Sequence, residues 1–168
     1  SDFVSHPRGK SSDGLQLFQL NQLHLGRTQF FVPESELRRV MAQHILDGDF
    51  SYVQQEAMEQ VEAGAGALDV SAMIPGSKEA KLLPAIVQHV QAVVDVPLCI
   101  SASTPAALRN ALDVYEGRAL VNALPADHVT LAAFLPIVAE YDTACAIMCS
   151  DDNGIPSDVG PRVAIAEK

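Results

Sequence analysis

The feature that most constrains this chain is a punctuated repeat, in which an amphipathic helical stretch stops on glycine and runs directly into a short apolar segment. It is clearest in Tyr52–Val70, YVQQEAMEQVEAGAGALDV. Val53, Ala57 and Val61 recur every four residues, while Gln54, Gln55, Glu59, Gln60 and Glu62 fill the positions between, the pattern of a helix with one buried stripe. Gly64 and Gly66 supply the backbone freedom needed to end it. Ala67–Val70 then has the length and apolar character of a strand buried on both faces, as parallel strands are.

The same grammar returns downstream. Residues 78–94 read as a helix with a stripe of Leu82, Leu83, Ile86, Val87, Val90 and Val94, followed by a strand at Pro97–Ile100. Pro105 suits the first turn of a helix through Tyr115, Gly117 stops it, and Ala119–Val121 continues as strand. Leu131–Tyr141 and Thr143–Cys149 repeat the unit, Val159–Lys168 reads as a further helix, and the earlier segment Leu15–Leu25 as the first strand. That gives about five strand-helix units of roughly 30 residues each. The expected class is α/β with parallel strands, in one domain over residues 15–168 behind a flexible Ser-, Gly-, Lys- and Asp-rich tail at 1–14.

Composition narrows the class of partner. With 168 residues and 48% apolar content, the chain can bury a substantial core. A formal net charge of −10 repels nucleic acid and anionic membranes on average. No apolar run is long enough to span a bilayer and no secretory leader is read, so a cytoplasmic protein is expected. Cys99, Cys145 and Cys149 fall on expected strands and read as buried small side chains, without histidines at ligand spacing. No metal site is expected. His24 and His128 stand alone and read as exposed or locally bonded.

On parallel α/β scaffolds, ligands lie at the carboxyl ends of the strands. The residues there are Gly26 and Arg27, Asp69 and Ser71, Ser101 and Ser103, Asn122, and Asp151 and Asp152. A rim of carboxylates and amides suits a flat heterocycle with several N–H donors and ring acceptors. No glycine-rich phosphate cradle follows any strand, and no serine sits in a nucleophile elbow. Each rim residue also has a structural use: Asn122 as a loop-ordering amide, Asp151 as a turn former before Asn153-Gly154, Asp69 as a tie at its strand end, and the serines as loop residues.

The segments YVQQEAMEQVEAGAGALDV, VVDVPLCI, ALVN and DDNGIP resemble the pterin-binding methyltransferases that move a methyl group from methyltetrahydrofolate to a corrinoid protein, with dihydropteroate synthases as more distant relatives. The resemblance implies a partial (β/α)8 barrel with a pterin pocket at the strand ends. It also implies methyltetrahydrofolate as the bound pterin, and cobalamin carried by a corrinoid protein partner. It assigns Asn122 to the pterin ring and Asp151 to the pterin's amino group and ring N–H, with Asp69, Ser71 and Ser101 at the remaining pocket positions.

The chain departs from the family at several of these positions. The family's first-strand signature, G-E-R-I-N-P-T-G-R, meets Gln19–Arg27, where only Gly26-Arg27 survives and Leu20 and Leu23 replace an acid and an amide. Its D-V-N becomes Asp69-Val70-Ser71, and its I-D-S becomes Ile100-Ser101-Ala102. A complete barrel takes about 250 residues, and the family's late-strand asparagine has no counterpart here. Three expectations follow: a fragment of a longer product, a chain completed by a partner or by self-association, or an open parallel sheet. Unpaired edges favour an oligomer. In function, a methyltransferase and a non-catalytic relative with a degenerate pocket, acting as a binding or assembly subunit, both stay open.

Overall fold

The computed structural model describes residues 34–74 and 77–167. Two helices, α1 (Glu34–Leu46) and α2 (Ser51–Glu62), lead into the alternation β1 (Leu68–Ser71), α3 (Glu79–Gln91), β2 (Leu98–Ser101), α4 (Pro105–Val114), β3 (Leu120–Pro125), α5 (His128–Glu140), β4 (Ala144–Met148) and α6 (Val159–Ala166). The end of α2 shows why the helix-to-strand passage is so compact. Gly64 adopts φ +98°, and the Gly64 and Ala65 N–H groups donate back to the Val61 and Gln60 carbonyls, a glycine-dependent closure that turns the chain toward β1.

The four strands form one parallel sheet in the order β1-β2-β3-β4. Because the order never reverses, crossovers of a single hand place the connecting helices on one face. Accordingly α3 packs on β1, α4 on β2 and α5 on β3, with α3 and α4 in broad contact. This is the wall of a partial (β/α)8 barrel. Leu68, Val70, Leu98, Ile100 and Val121 point from the strands into a core completed by Leu83, Ile86, Val87, Val90, Leu108, Ala111, Leu112, Phe134, Ile137 and Val138. The alternate residues of each strand therefore face away from the helices.

The helix stripes and strands anticipated from Tyr52 onward are present, with shifted ends. α5 begins at His128, not Leu131, because the Asp127 side chain accepts from Thr130 N at 2.8 Å and caps an earlier turn. β3 runs past Val121 to Pro125, with one extra residue on β3 between Val121 and Leu124 relative to its β4 partners. Cys149 lies just beyond β4. Helix α1 was not anticipated at all. The expected first strand, Leu15–Leu25, and the tail lie outside the described residues, as do Leu20, Leu23, His24, Gly26 and Arg27.

Candidate functional site

Register brings three separate sequence motifs to one place. Ser71 pairs across the sheet with Ser101, and the β2–β3 register, in which Ile100 faces Val121, puts Ser101 beside Asn122. All lie at the carboxyl ends of their strands on the face turned away from the helices. Asp69, two residues before Ser71, therefore shares their side of β1, and the alternating burial of Leu68–Ser71 shows Asp69 and Ser71 exposed.

The side chains form a connected set. Ser101 Oγ donates to Asp69 Oδ1 at 2.8 Å, and Asn122 Nδ2 donates to Asp69 Oδ2 at 2.6 Å. One carboxylate is thus held at both oxygens by donors from two neighbouring strands, charge-assisted bonds stronger than neutral ones. The other end of the amide, Asn122 Oδ1, is buried and has no hydrogen-bond partner. Ser71 is a looser neighbour, its Oγ accepting from Met73 N at 3.4 Å.

Cys99 occupies the same face one step below Ser101, opposite Asp69 in register. Burial, and secondarily the Asp69 charge, push its thiol well above the ordinary range, so Cys99 stays a neutral SH and supplies no thiolate. The other described cysteines are also free. Among the described residues no group of three or more His, Cys, Asp or Glu side chains is arranged to hold a metal, and no helix is long and apolar enough to cross a membrane.

The remaining rim residues go elsewhere. Ser103 N and Oγ both donate to Glu79, at 2.8 and 2.5 Å, tying the start of α4 to that of α3. Asp152 accepts from His128 N at 3.2 Å and contacts His128 Nδ1 at 2.9 Å, so both belong to the entry of α5. Asp151 closes a tight turn, exchanging backbone bonds with Gly154 and accepting from Asn153 N at 2.9 Å. It lines a cavity of about 760 Å³ beside β4, shared with Leu131, Leu135, Ile147, Met148 and Ile165. Among the described residues no hydrogen bond joins Asp151 to the Asp69 cluster. Sequence reasoning named the members of that cluster but not their bonding: nothing in a linear motif says that an amide 53 residues away will donate to Asp69.

Residues 40–164 match the family described as pterin binding enzyme. The chain belongs to that family. It is also 28% identical over 130 residues to a methylcorrinoid:tetrahydrofolate methyltransferase of Eubacterium limosum, an alignment covering 76% of this chain and 48% of the relative. The chain thus spans about half the length of the curated relative it matches. For a member of a pterin binding family, the cluster has fitting chemistry: the exposed Asp69 carboxylate can accept N–H groups such as those on the edge of a pterin ring.

Proposed function

We propose that this protein binds a folate-type pterin at the Asp69–Ser101–Asn122 rim and serves methyl transfer between methyltetrahydrofolate and the cobalamin of a corrinoid protein. The observation that carries the reading is the convergence of two polar side chains, Ser101 and Asn122 from β2 and β3, on the Asp69 carboxylate of β1. Family membership supports the pterin; the name of the curated relative supports the tetrahydrofolate and corrinoid chemistry. Ser71 and Asp151 complete the proposed pocket, with Asp151 reaching the ring from the loop after β4.

In this reading the protein contributes orientation and electrostatic complementarity, with no covalent nucleophile of its own. The pterin supplies the ring nitrogen that carries the methyl group, and the partner supplies the metal. The neutral Cys99 and the absence of a nucleophile elbow fit that division of labour. A second reading, a non-catalytic binding or assembly subunit, is favoured by one observation, the use of Asp151 to close its own turn.

Calorimetric titration of the folded protein with methyltetrahydrofolate separates the two readings. Saturable heat in the micromolar range, weakened at least about threefold (~0.7 kcal/mol) by Asn122→Ala and by Asp151→Ala, supports the pterin pocket. No heat from a protein with an intact melting transition supports the subunit, and unchanged affinity in both variants displaces the site from this rim.

A further inference from the structure

The cavity of about 760 Å³ beside β4 changes character along its length. At the carboxyl end of the sheet it is bordered by His128, the first residue of α5, and by Asp151, Asp152 and Asn153 from the loop after β4. Helix α5 runs from there toward the amino ends of the strands, so Leu131 lies about one turn deeper and Leu135 about 10 Å below His128. Both line the cavity, together with Ile147 and Met148 of β4 and Ile165 of α6. The space therefore has a polar end and an apolar depth, and its volume lies in the roughly 300–1,000 Å³ range of small-molecule pockets. Asp69, Ser71, Ser101 and Asn122 do not border it; Asp151 is the one residue it shares with the proposed pterin pocket.

The polar end accepts hydrogen bonds and carries negative charge. Asp152 Oδ1 accepts from His128 N at 3.2 Å, and Oδ2 contacts His128 Nδ1 at 2.9 Å. A carboxylate takes only donors, so Nδ1 carries the proton in that contact and the neutral ring leaves Nε2 as an acceptor. The Asp152 side chain is 55% exposed, and each of its oxygens, having taken one donor, has capacity for a second. Asp151 adds another carboxylate, and no Lys or Arg lines the cavity. We propose that this cavity binds an amphiphilic amine, with the ammonium group at Asp152 and the apolar body between α5 and α6 along Ile147 and Met148. An ammonium brings three donors and a positive charge to an end that offers acceptors and negative charge. The body covers apolar side chains that are otherwise partly exposed to water, Leu135, Ile147 and Met148. An amphiphile with an anionic head meets repulsion at the same end.

The test titrates the folded full chain with octylamine, 1-octanol and octanoate by calorimetry, at neutral pH and low ionic strength, and follows the methyl resonances of Leu135 and Ile147. Octylamine is expected to saturate one site about tenfold more tightly than 1-octanol, the difference between a charge-assisted and a neutral hydrogen bond, and octanoate to bind more weakly than either. Asp152→Asn keeps an acceptor for His128 N but removes the charge. It should weaken octylamine about tenfold and leave 1-octanol within about twofold. Leu135→Asn, at a part-exposed position, should weaken both about fivefold through the shared apolar body. Each variant is used with its melting transition intact.

Leu135 and Ile147 methyl shifts that saturate in step with the octylamine heat support the site. Equal affinity for the three head groups reduces the cavity to a non-selective apolar surface and overturns the proposal, as does octylamine binding that Asp152→Asn leaves unchanged. Absence of saturable heat from all three probes overturns it as well. Octylamine affinity that falls as protein concentration rises gives the cavity to a second copy of the chain, and again overturns it. The outcome is independent of methyltetrahydrofolate, which no arm of the test contains.

Discussion

Asp49, between α1 and α2, shows how much one exposed acid organises locally. It accepts from Ser51 N at 3.0 Å and Ser51 Oγ at 2.6 Å through one oxygen, and contacts His44 Nδ1 at 2.9 Å through the other. The Ser51 bonds first, and then His44, hold its carboxyl at about 2, below the ordinary 3.8. A carboxyl depressed in the folded state stabilises the fold at pH values above its unfolded pKa, and that contribution is lost as pH falls through the folded value. The predicted window is therefore about pH 4 down to 2. In thermal melts, Asp49→Asn is expected to melt below the parent at pH 6 and to converge with it by pH 2; a gap that stays constant across that range refutes the assignment. The cluster at the strand ends was less legible than this local turn. Asp69, Ser101 and Asn122 are each visible as polar residues after apolar runs, but their union depends on strand register, which is set by packing across more than fifty residues.

At the level of elements, α3 contains a contradiction that its neighbour resolves. Pro84 lies inside the helix and has no N–H to offer the Ala80 carbonyl four residues back. Asn110 Nδ2, from α4, donates to Ala80 O at 2.8 Å, so a side chain supplies the donor the proline removed. Asn110→Ala is predicted to cost about 1 kcal/mol or somewhat more in denaturant unfolding. In a Pro84→Ala background, where the main-chain bond can form, that cost should fall by more than half; equal costs in both backgrounds would sink the pairing. The stripe Leu83, Ile86, Val87 and Val90 announced α3 in the sequence despite the proline, because burial of one face outweighs one missing bond. Helix α1 gave no such signal, since Glu34–Leu46 mixes charge along its length and Ile45 is its one fully buried apolar residue among those described. The start of α5 was misplaced for a different reason: the Asp127 cap precedes the apolar run by several residues, and periodicity alone sees only the run.

For the molecule as a whole, two opposed forces act at the edges of the described sheet. Strands β1 and β4 end the described sheet, and an unpaired strand edge is a template for another chain. At β4 the edge is also apolar, with Ile147 44% and Met148 41% exposed beside the cavity under α6. Burying such surface in a second copy is favourable by about 25 cal/mol per Å², yet each copy carries a formal charge of −10, and like charges resist approach. Salt decides between them. Repulsion reaches about 30 Å at 0.01 M ionic strength and about 3 Å at 1 M, while apolar burial is hardly weakened by the same change. Sedimentation velocity is therefore expected to show monomer at low salt and concentration-dependent dimer at about 0.5 M, the inverse of an assembly held by ion pairs. Ile147→Lys places a charge on the edge strand and should keep the protein monomeric at high salt without lowering its melting temperature. Association that weakens as salt rises would transfer the contact to charged surface away from β4, and a monomer at every salt concentration would mean that the edge is protected within the chain itself.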